Sequence, residues 1–290
     1  MLTVSVIIPT YNRKPQLKEA IASVIAQTYQ PQEIIVIDDA SSDHTSEWIK
    51  EDYPAIVLIT LPQNKGAAAA RNAGIRIAKG ELIAFLDSDD LWLPGYLSSQ
   101  VDCFTARPDI AGVFSSHYKL DKNGMEYPVS HHWPVDDPRL HLIINNNFIH
   151  TMSLIILRKD VFQKTGLLRE DLFICHDREF YVRVLEHFYL QYNPDHLVRR
   201  RYSPNQVTGN MSLWYKEAIC ILDIFFKAGQ NESYANLRHL AYYKANLRFY
   251  RRAINKRRPA LMLMCRYRTG WYGLFLDRAE KKKILSTIDL

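Results

Sequence analysis

With 290 residues, of which 47% are hydrophobic and 23% charged, the chain has the composition of a globular protein with a real core, which excludes a disordered or fibrous chain. The length allows one large α/β domain, alone or with an extension. The net charge of +6 conceals an asymmetry, because residues 1–196 hold 25 acidic and 18 basic side chains, whereas residues 197–290 hold 6 and 19. A basic C-terminal part is compatible with an anionic surface or substrate, and equally with a solvated basic face.

The cysteines and the apolar runs bear on the cellular compartment. The four cysteines are scattered without a C-x-x-C pair, which favours a reducing cytoplasm. The apolar run at 4–8 is too short for a signal peptide and meets Pro9. No stretch approaches the roughly 20 apolar residues of a membrane-spanning helix. We therefore expect a cytoplasmic protein.

Strand and helix patterns alternate along the first hundred residues. Short aliphatic runs predict strands at 4–8, 34–37, 56–59 and 82–86. Helical spacing and composition predict helices at 17–25, 45–50, 67–79 and 94–105, with Gly80 as the C′ residue of the third. This alternation predicts βαβ units and a mostly parallel sheet, whose ligands lie beyond the carboxyl ends of the strands.

The second half of the chain is less regular. Asn123-Gly124 predicts a hairpin turn between strands at 111–120 and 125–129. Further predicted elements are a long loop at 130–150, a strand at 153–157 and a helix at 177–188. From about residue 210 the pattern is helical. We therefore divide the chain into a domain at 1–210 and a basic helical extension at 211–290.

The segment Asp87-Ser88-Asp89-Asp90 directly follows the predicted strand at 82–86. Three carboxylates within four residues repel one another unless protons or a cation neutralise them. Hard oxygen ligands suit Mg²⁺ or Mn²⁺, which keep open positions for phosphate oxygens. The segment is therefore a candidate metal site for a bound diphosphate, and the alternative is an acidic turn that caps the next helix.

Other polar segments fall at neighbouring strand ends. Each has an alternative structural interpretation as a turn, a helix cap or an exposed helix face. The segments are 9–13 (PTYNR), Asp38-Asp39, and Asn64-Lys65-Gly66 with the following Arg71. A helix start with nearby cations favours a bound anion. Neither a Walker A sequence nor G-x-G-x-x-G is present.

A second acidic segment opens the predicted helix at 177–188. His176, Asp177 and Glu179 all have side chains that could take a proton from a hydroxyl group. The alternative is a helix start enriched in acids because of the helix dipole. The remaining histidines show no zinc spacing and are interpreted as surface or core residues; they include His117, His131, His132, His141 and His150.

Four segments together resemble family 2 of the inverting glycosyltransferases, which have the GT-A fold. The matching residues are 5–12 (SVIIPTYN), 37–43 (IDDASSD), 64–74 (NKGAAAARNAG) and 85–90 (FLDSDD). The resemblance covers roughly residues 3–208 and rests on the order and spacing of the motifs. It implies an α/β fold with a Rossmann-like, mostly parallel central sheet flanked by helices, followed here by the helical extension.

The resemblance also implies an activity and roles for named residues. The expected reaction is the metal-dependent transfer of a sugar, with inversion, from a nucleotide-diphospho-sugar, with UDP as the expected nucleotide. The acceptor would be a hydroxyl of a glycan or a lipid-linked glycan in envelope polysaccharide synthesis. Asp177 would be the catalytic base, and Asp89 with Asp87 would bind Mn²⁺ or Mg²⁺. The implied donor-binding residues are Pro9, Thr10, Tyr11, Asn12, Arg13, Asp38, Asp39, Asn64, Lys65, Gly66, Arg71, Asp87 and Ser88.

One departure from the family pattern concerns the metal. Many relatives carry a histidine near the position of Tyr202-Ser203, so a third protein ligand is in doubt here. The arginines at 199–201 could hold the diphosphate partly in its place.

Competing interpretations belong to other classes of protein. A catalytically silent nucleotide-sugar binder or scaffold of the same fold is the main alternative. A nucleotidyltransferase would need a glycine-rich phosphate loop, which the turns lack. The acidic sites argue against nucleic acid as a partner of the basic tail. Residues 236–290 form a basic amphipathic region, which could contact the inner face of the membrane or simply pack on the catalytic domain.

Overall fold

The computed structural model describes residues 1–131, 137–144, 147–202, 209–227, 231–274 and 276, and divides into two compact units. Unit 1 comprises Met1–Trp133 and Phe148–Asn205, and unit 2 comprises Pro134–Asn147 and Gln206–Leu290. The proposed boundary between residues 210 and 211 stays a prediction.

The described residues of unit 1 include nine strands, which form one sheet. The strands are β1 (Val4–Thr10), β2 (Glu33–Asp38), β3 (Val57–Thr60), β4 (Leu82–Phe85), β5 (Asp90–Trp92), β6 (Gly112–Leu120), β7 (Glu126–Val129), β8 (Ile155–Arg158) and β9 (Leu190–Arg200). Their order is β3-β2-β1-β4-β8-β6-β9-β5, with β7 paired to β6. The four N-terminal strands are parallel, as the alternation predicts, and β6 pairs with β9 in parallel. The pairs β4–β8, β5–β9, β6–β7 and β6–β8 are antiparallel.

Helices connect and flank these strands. Those in unit 1 are α1 (Lys14–Ile25), α2 (Thr45–Asp52), α3 (Ala67–Ile77), α4 (Tyr96–Ala106), α6 (Val161–Thr165) and α7 (His176–His187). Every residue of β1 is buried, because this strand lies between β2 and β4 and carries apolar side chains on both faces. Of the apolar residues at helical spacing on α1, Leu17, Ala20, Ile21 and Val24 are buried, whereas Ile25 is half exposed.

Two strands, β5 and β9, were not predicted from the sequence. β5 has only three residues, and β9 contains Pro194 and Asp195 in its middle. The register between β6 and β9 shifts at this point, from Ser115 opposite Asn193 to Ser116 opposite His196. The bulge accommodates the proline, which cannot donate to a regular ladder. A strand interrupted in this way shows no clean alternation in the sequence.

The prediction for Gly80 is wrong. α3 ends at Ile77 with Ala78 as its C-cap, and Gly80 is not in the left-handed region that a C′ glycine adopts. A Cβ at Gly80 would instead lie 2.5 Å from the backbone nitrogen of Ser5. The absence of a side chain therefore permits a close approach to β1.

The predicted long loop and the strand after it also need correction. Residues 130–150 include a helix, α5 (Pro138–Ile144), which belongs to unit 2. The strand predicted at 153–157 starts later, because Met152–Leu154 forms a 3₁₀ turn that precedes β8. The hairpin predicted at Asn123-Gly124 is confirmed by the antiparallel pairing of β6 and β7.

Unit 2 is helical, with α5, α8 (Met211–Phe225), α9 (Arg238–Asn255) and α10 (Pro259–Gly273), and a 3₁₀ segment at Glu232–Leu237. One buried cluster joins α8, α9 and α10 through Met211, Tyr215, Ala218, Phe249, Ala253, Leu261 and Cys265. Tyr243 and Leu247 of α9 form a second cluster within this unit, together with Leu276. Within the described parts of the chain, no helix has both the length and the apolar composition needed to cross a membrane.

Candidate functional site

The carboxyl ends of β1, β2 and β4 meet at one edge of the sheet. Thr10 pairs with Asp38 at the end of β1 and β2, and Ile7 pairs with Phe85 near the end of β4. Because the three strands are parallel neighbours, the segments that follow them emerge side by side. The polar residues singled out from the sequence at 9–13, 38–39 and 87–90 therefore surround the same edge.

Asp87 is held by a buried arginine and a hydroxyl group. Arg71, which is only 4% exposed on α3, donates to Asp87 Oδ1, and Thr151 Oγ1 donates to Asp87 Oδ2 at 2.7 Å. Burial pushes the pKa of Asp87 upward, but the Arg71 charge and these hydrogen bonds outweigh it and keep the pKa below its ordinary value. Asp87 is therefore ionised at neutral pH.

Asp89 has a different pair of cationic neighbours. Arg13 Nη1 donates to Asp89 Oδ2, and Arg201 Nε donates to the backbone oxygen of Asp89. Burial and the charge of Asp87 raise the pKa of Asp89, while Arg13 and Arg201 oppose this shift. The Asp89 side chain is 19% exposed and that of Asp87 is 26% exposed. Both carboxylates can thus be reached from solvent.

Asp90 is the buried member of the acidic segment, with 3% exposure. Ser153 Oγ donates to Asp90 Oδ2 at 2.7 Å, and the backbone nitrogen of Arg201 donates to Asp90 Oδ1 at 3.2 Å. Burial and the charges of Asp87 and Asp89 raise the pKa of Asp90 to about 7. Asp90 therefore joins β5 to residues 153 and 201 and is not exposed to a ligand.

The two aspartates after β2 bind the neighbouring turns. Asp39 accepts backbone hydrogen bonds from Lys65 at 2.8 Å and Gly66 at 2.7 Å. Asp38 accepts from the backbone nitrogen of Ser41 at 2.9 Å and from the Ser46 hydroxyl. The carboxylate of Asp39 thus fixes the start of α3, and that of Asp38 fixes the turn after β2. These contacts match the alternative stated from the sequence, in which Asp38 and Asp39 stabilise a turn or a helix start.

The remaining residues predicted to bind the sugar donor lie around this edge and differ in solvent exposure. Pro9, Thr10 and Ser88 are buried, whereas Tyr11, Asn12, Asn64 and Lys65 are exposed. Asn12 adopts a positive φ of 50° and accepts a hydrogen bond from the Ser42 backbone at 2.8 Å. Gly66 has φ +87°, and a Cβ there would lie 3.2 Å from the Phe173 ring. The positive φ strains any other residue here, and a Cβ would also crowd the Phe173 ring.

The three candidate bases at the start of α7 are distinguished by their contacts. Glu179 is buried in an ion pair with Arg183, in which two nitrogens donate to the two carboxylate oxygens at 2.8 Å. His176 accepts from Arg71 Nη1 at 2.7 Å, and burial lowers its pKa to about 3. Asp177 accepts from the backbone nitrogen of Arg178 at 2.6 Å and is partly exposed.

The environment of Asp177 leaves it ionised at neutral pH. Burial raises its pKa to about 6, and the charge of Asp87 adds to this rise, while Arg71 opposes it. A carboxylate with this pKa can accept a proton near pH 7. Of the three candidates, Asp177 has the chemistry that a general base needs.

Two contact residues were missed by sequence analysis. Thr151 and Ser153 support Asp87 and Asp90, and neither stands in a motif, so the sequence offers no signal for them. Arg201, one of the arginines singled out at 199–201, contacts the acidic segment. Arg199 pairs instead with Glu126 at 2.7 Å. The proposed departure at Tyr202-Ser203 falls partly outside the described residues, because the description stops at Tyr202 and resumes at Gly209.

Comparison with known proteins places the sequence among glycosyltransferases. The profile of a family described as Glycosyl transferase family 2 matches residues 5–166. The UDP-Glc:alpha-D-GlcNAc-diphosphoundecaprenol beta-1,3-glucosyltransferase WfgD of Escherichia coli is 37% identical over 123 residues, which are 42% of this chain and 48% of WfgD. An uncharacterized glycosyltransferase of Rickettsia typhi is 30% identical over 210 residues, 71% of this chain and 65% of that protein. The chain thus spans about half to two thirds of the length of these relatives.

Solved structures confirm the predicted GT-A fold. Staphylococcus aureus TarS 1–349 in complex with UDP-GlcNAc aligns with a TM-score of 0.65 and 21% identity, over 86% of this chain and 73% of that one. The mannosyltransferase PcManGT of Pyrobaculum calidifontis, in complex with GDP-Man and Mn²⁺, aligns with a TM-score of 0.58 and 19% identity, over 99% and 88%. At such identities the likeness concerns the fold alone.

The raised pKa of Asp90 predicts a specific pH dependence of stability. Between about pH 4 and about pH 7 the folded protein keeps a proton on Asp90 that the unfolded chain releases, so this residue lowers the free energy of unfolding as pH rises through that window. We expect Asp90→Asn, which cannot ionise, to gain stability relative to wild type as pH rises. Urea unfolding with EDTA from about pH 5 to about pH 8 measures the difference.

Asp102→Asn, at an exposed position on α4, is the matched control and should follow wild type at every pH. A constant difference between Asp90→Asn and wild type across this range would contradict the assignment.

Proposed function

Because the chain belongs to glycosyltransferase family 2, we propose that it transfers a sugar, with inversion, from a nucleotide-diphospho-sugar to a hydroxyl group of a glycan or lipid-linked acceptor. The observation that carries this proposal is the position of Arg71. This buried side chain donates to Asp87 on one side and to His176, the neighbour of Asp177, on the other. The acidic segment and the candidate base therefore belong to one site.

The acidic segment fits a divalent cation. Asp87 and Asp89 are partly exposed, and the charge of Asp87 raises the pKa of Asp89, so the two carboxylates still repel each other beside their arginine partners. A cation between them would remove this repulsion. Mg²⁺ is commonly bound by one or two carboxylates together with substrate phosphates, so two protein ligands suffice. We propose Mn²⁺ or Mg²⁺ at Asp89 and Asp87, where the ion would stabilise the charge of the departing diphosphate.

Donor recognition would use the cations and loops at the same edge. Arg13 and Arg201 lie beside Asp89, and the exposed Lys65 stands at the start of α3. These charges suit a diphosphate near a helix N-terminus. Asp39 is the proposed contact to the nucleobase, since a carboxylate oxygen that accepts one backbone hydrogen bond has a second lone pair. Asp38, with its oxygens on Ser41 and Ser46, supports the loop instead of the donor.

Asp177 is the proposed base for a single displacement. The acceptor oxygen attacks the anomeric carbon while the bond from that carbon to the diphosphate breaks on the opposite face. Asp177 takes the hydroxyl proton, and no enzyme-linked sugar forms. Configuration at the anomeric carbon inverts, so that an α-linked donor gives a β-linked product.

The relatives support a coarse choice of substrates. WfgD and a second Escherichia coli protein, WfaP, are both named as UDP-Glc-dependent beta-1,3-glucosyltransferases that act on a GlcNAc-diphosphoundecaprenol. The TarS structure contains UDP-GlcNAc. We therefore propose a UDP-sugar donor and a lipid-linked glycan acceptor for this chain.

The proposed role of Asp177 predicts that a variant without this carboxylate loses donor turnover but still binds UDP. Asp177→Asn keeps the size of the side chain but cannot accept the proton, so donor turnover should fall by at least about 100-fold while UDP binding is kept. In wild type, kcat/KM should fall as pH drops through about 6, because protonation of Asp177 removes the base. Glu186→Gln, exposed near the other end of α7, is the control and should retain activity. Wild-type turnover in Asp177→Asn would exclude this mechanism.

The metal site predicts ligand binding that depends on a dication. Calorimetry against UDP, GDP and dTDP should show binding of UDP in the presence of Mn²⁺ and much weaker binding with EDTA. Asp89→Ala should weaken Mn²⁺-dependent binding by at least about tenfold, since it removes a proposed ligand. Asp102→Ala provides the control. Equal affinity of wild type and Asp89→Ala would rule out Asp89 as a metal ligand.

A lipid-linked acceptor resides in a membrane, and the exposed face of α10 is a candidate surface for contact with that membrane. Leu261 and Cys265 are buried on one face of this helix, whereas Leu263 is 73% exposed, Tyr267 75% and Leu274, directly after the helix, 76%. Exposed cations flank this apolar face, namely Lys256, Arg257, Arg258 and Arg266. A helix surface with apolar and basic side chains suits an anionic bilayer. We propose that α10 contacts the membrane peripherally.

Vesicle flotation tests this contact. Full-length protein should float with vesicles that contain anionic lipid and much less with neutral vesicles, because the basic side chains need a negative surface. The double variant Leu263→Ser/Tyr267→Ser should lose flotation. Met125→Ser/Tyr127→Ser, which removes two comparably exposed apolar side chains from unit 1, is the control. Unchanged flotation of the α10 variant would exclude this surface as the contact.

A further inference from the structure

Three histidines of unit 1 converge although no metal-binding spacing links them in the sequence. His117 lies on β6 opposite Val129 of β7, His131 follows β7, and His150 precedes Thr151. One ring nitrogen from each histidine lies within 4.8 Å of the other two. The folded chain thus forms a cluster that we call the triple-histidine cluster, made of His117, His131 and His150.

The distances within this cluster are close to those of a metal site. His117 Nδ1 and His131 Nε2 are 3.2 Å apart. Two nitrogens bound to one tetrahedral Zn²⁺ at about 2.0–2.1 Å would be about 3.3 Å apart. The His150 ring contacts both others edge-on, with centroid distances of 5.4 Å to His117 and 4.5 Å to His131. The χ2 torsion of histidine is broad, so the imidazole rings can reorient toward a shared ion.

Burial gives the cluster a protected side and an open side. His117 is 1% and His131 4% exposed, whereas His150 is exposed. Two buried imidazoles could form a hydrogen-bonded pair without a metal, but such a pair does not require a third imidazole at its solvent edge. An ion could enter past His150, and water could occupy a fourth position there.

We propose that His117, His131 and His150 bind one Zn²⁺, at a site separate from the carboxylates Asp87 and Asp89. Imidazole nitrogens suit zinc, whereas carboxylate oxygens suit Mg²⁺ and Mn²⁺, so the two sites select different ions. Three histidines leave the fourth position of a tetrahedral ion to water. The proposal concerns metal binding by unit 1 and does not depend on the transfer reaction.

The consequence of zinc binding would be a local crosslink. The ion would join β6, the segment after β7 and the segment before Thr151. Thr151 donates to Asp87 at 2.7 Å, so the crosslink would steady one of the supports of the acidic segment. The positive charges of Arg200 and Lys119 act on His150 and oppose a dication, so the site should bind zinc less tightly than a similar site without cations.

Metal binding by the full chain without a polyhistidine tag tests the proposal. Equilibrium dialysis against Zn²⁺, followed by elemental analysis, should give about one zinc per chain, and zinc should raise the melting temperature relative to EDTA. His150→Ala changes an exposed residue, so folding should be preserved, and circular dichroism checks this. This variant should bind zinc at least about tenfold more weakly and lose the thermal shift.

Two controls locate the ion. His187→Ala removes an exposed histidine at the end of α7, and Asp89→Ala removes a carboxylate of the other site. Both should retain the zinc and the thermal shift, and His150→Ala should retain any Mn²⁺-dependent UDP binding that wild type shows. Wild-type protein without stoichiometric zinc, or His150→Ala with wild-type affinity, would overturn the proposal. Loss of zinc in Asp89→Ala would place the ion at the carboxylates and would overturn it as well.

Discussion

The crowding of three carboxylates beyond β4 is the constraint on which the site depends. Like charges so close together in a partly buried segment can coexist only if each has its own compensation. Arg71 and Thr151 stabilise ionised Asp87, and Arg13 pairs with Asp89. Asp90, with a pKa near 7, can hold a proton. Each compensation comes from a different part of the chain, so the acidic segment holds α3, the start of α1 and the segment before β8 together.

Arg71 links this segment to the start of α7. Its guanidinium contacts Asp87 and His176 at once, and burial keeps His176 neutral, so that the imidazole nitrogen can accept from the arginine. Asp177 is next in the chain, and the charges of Arg71 and Asp87 act on it. A change of charge at the acidic segment would therefore shift the pKa of Asp177. In the proposed reaction, this coupling would connect binding of the dication and the diphosphate to the basicity of Asp177.

Unit 2 combines buried apolar helix faces with an exposed apolar face on α10. Its buried clusters are built from the inner faces of α8, α9 and α10. The outer face of α10 is also apolar, although it is exposed, and it stands among arginines and lysines. An apolar helix face in solvent has a cost unless something covers it. The proposed membrane contact would cover this face.

The sequence by itself determined the parallel half of the sheet and the positions of Asp39, Arg71, Asp87 and Asp89 at its edge. Aliphatic runs and helical spacing are local signals, and parallel neighbouring strands place their carboxyl ends together. Only the tertiary structure decided which side chains support these residues: Thr151, Ser153 and Arg201 come from distant segments. It also decided that β9 pairs through a bulge, that Gly80 allows a close backbone approach, and that three histidines meet. These features depend on contacts between residues far apart in the chain, for which no local period or spacing exists.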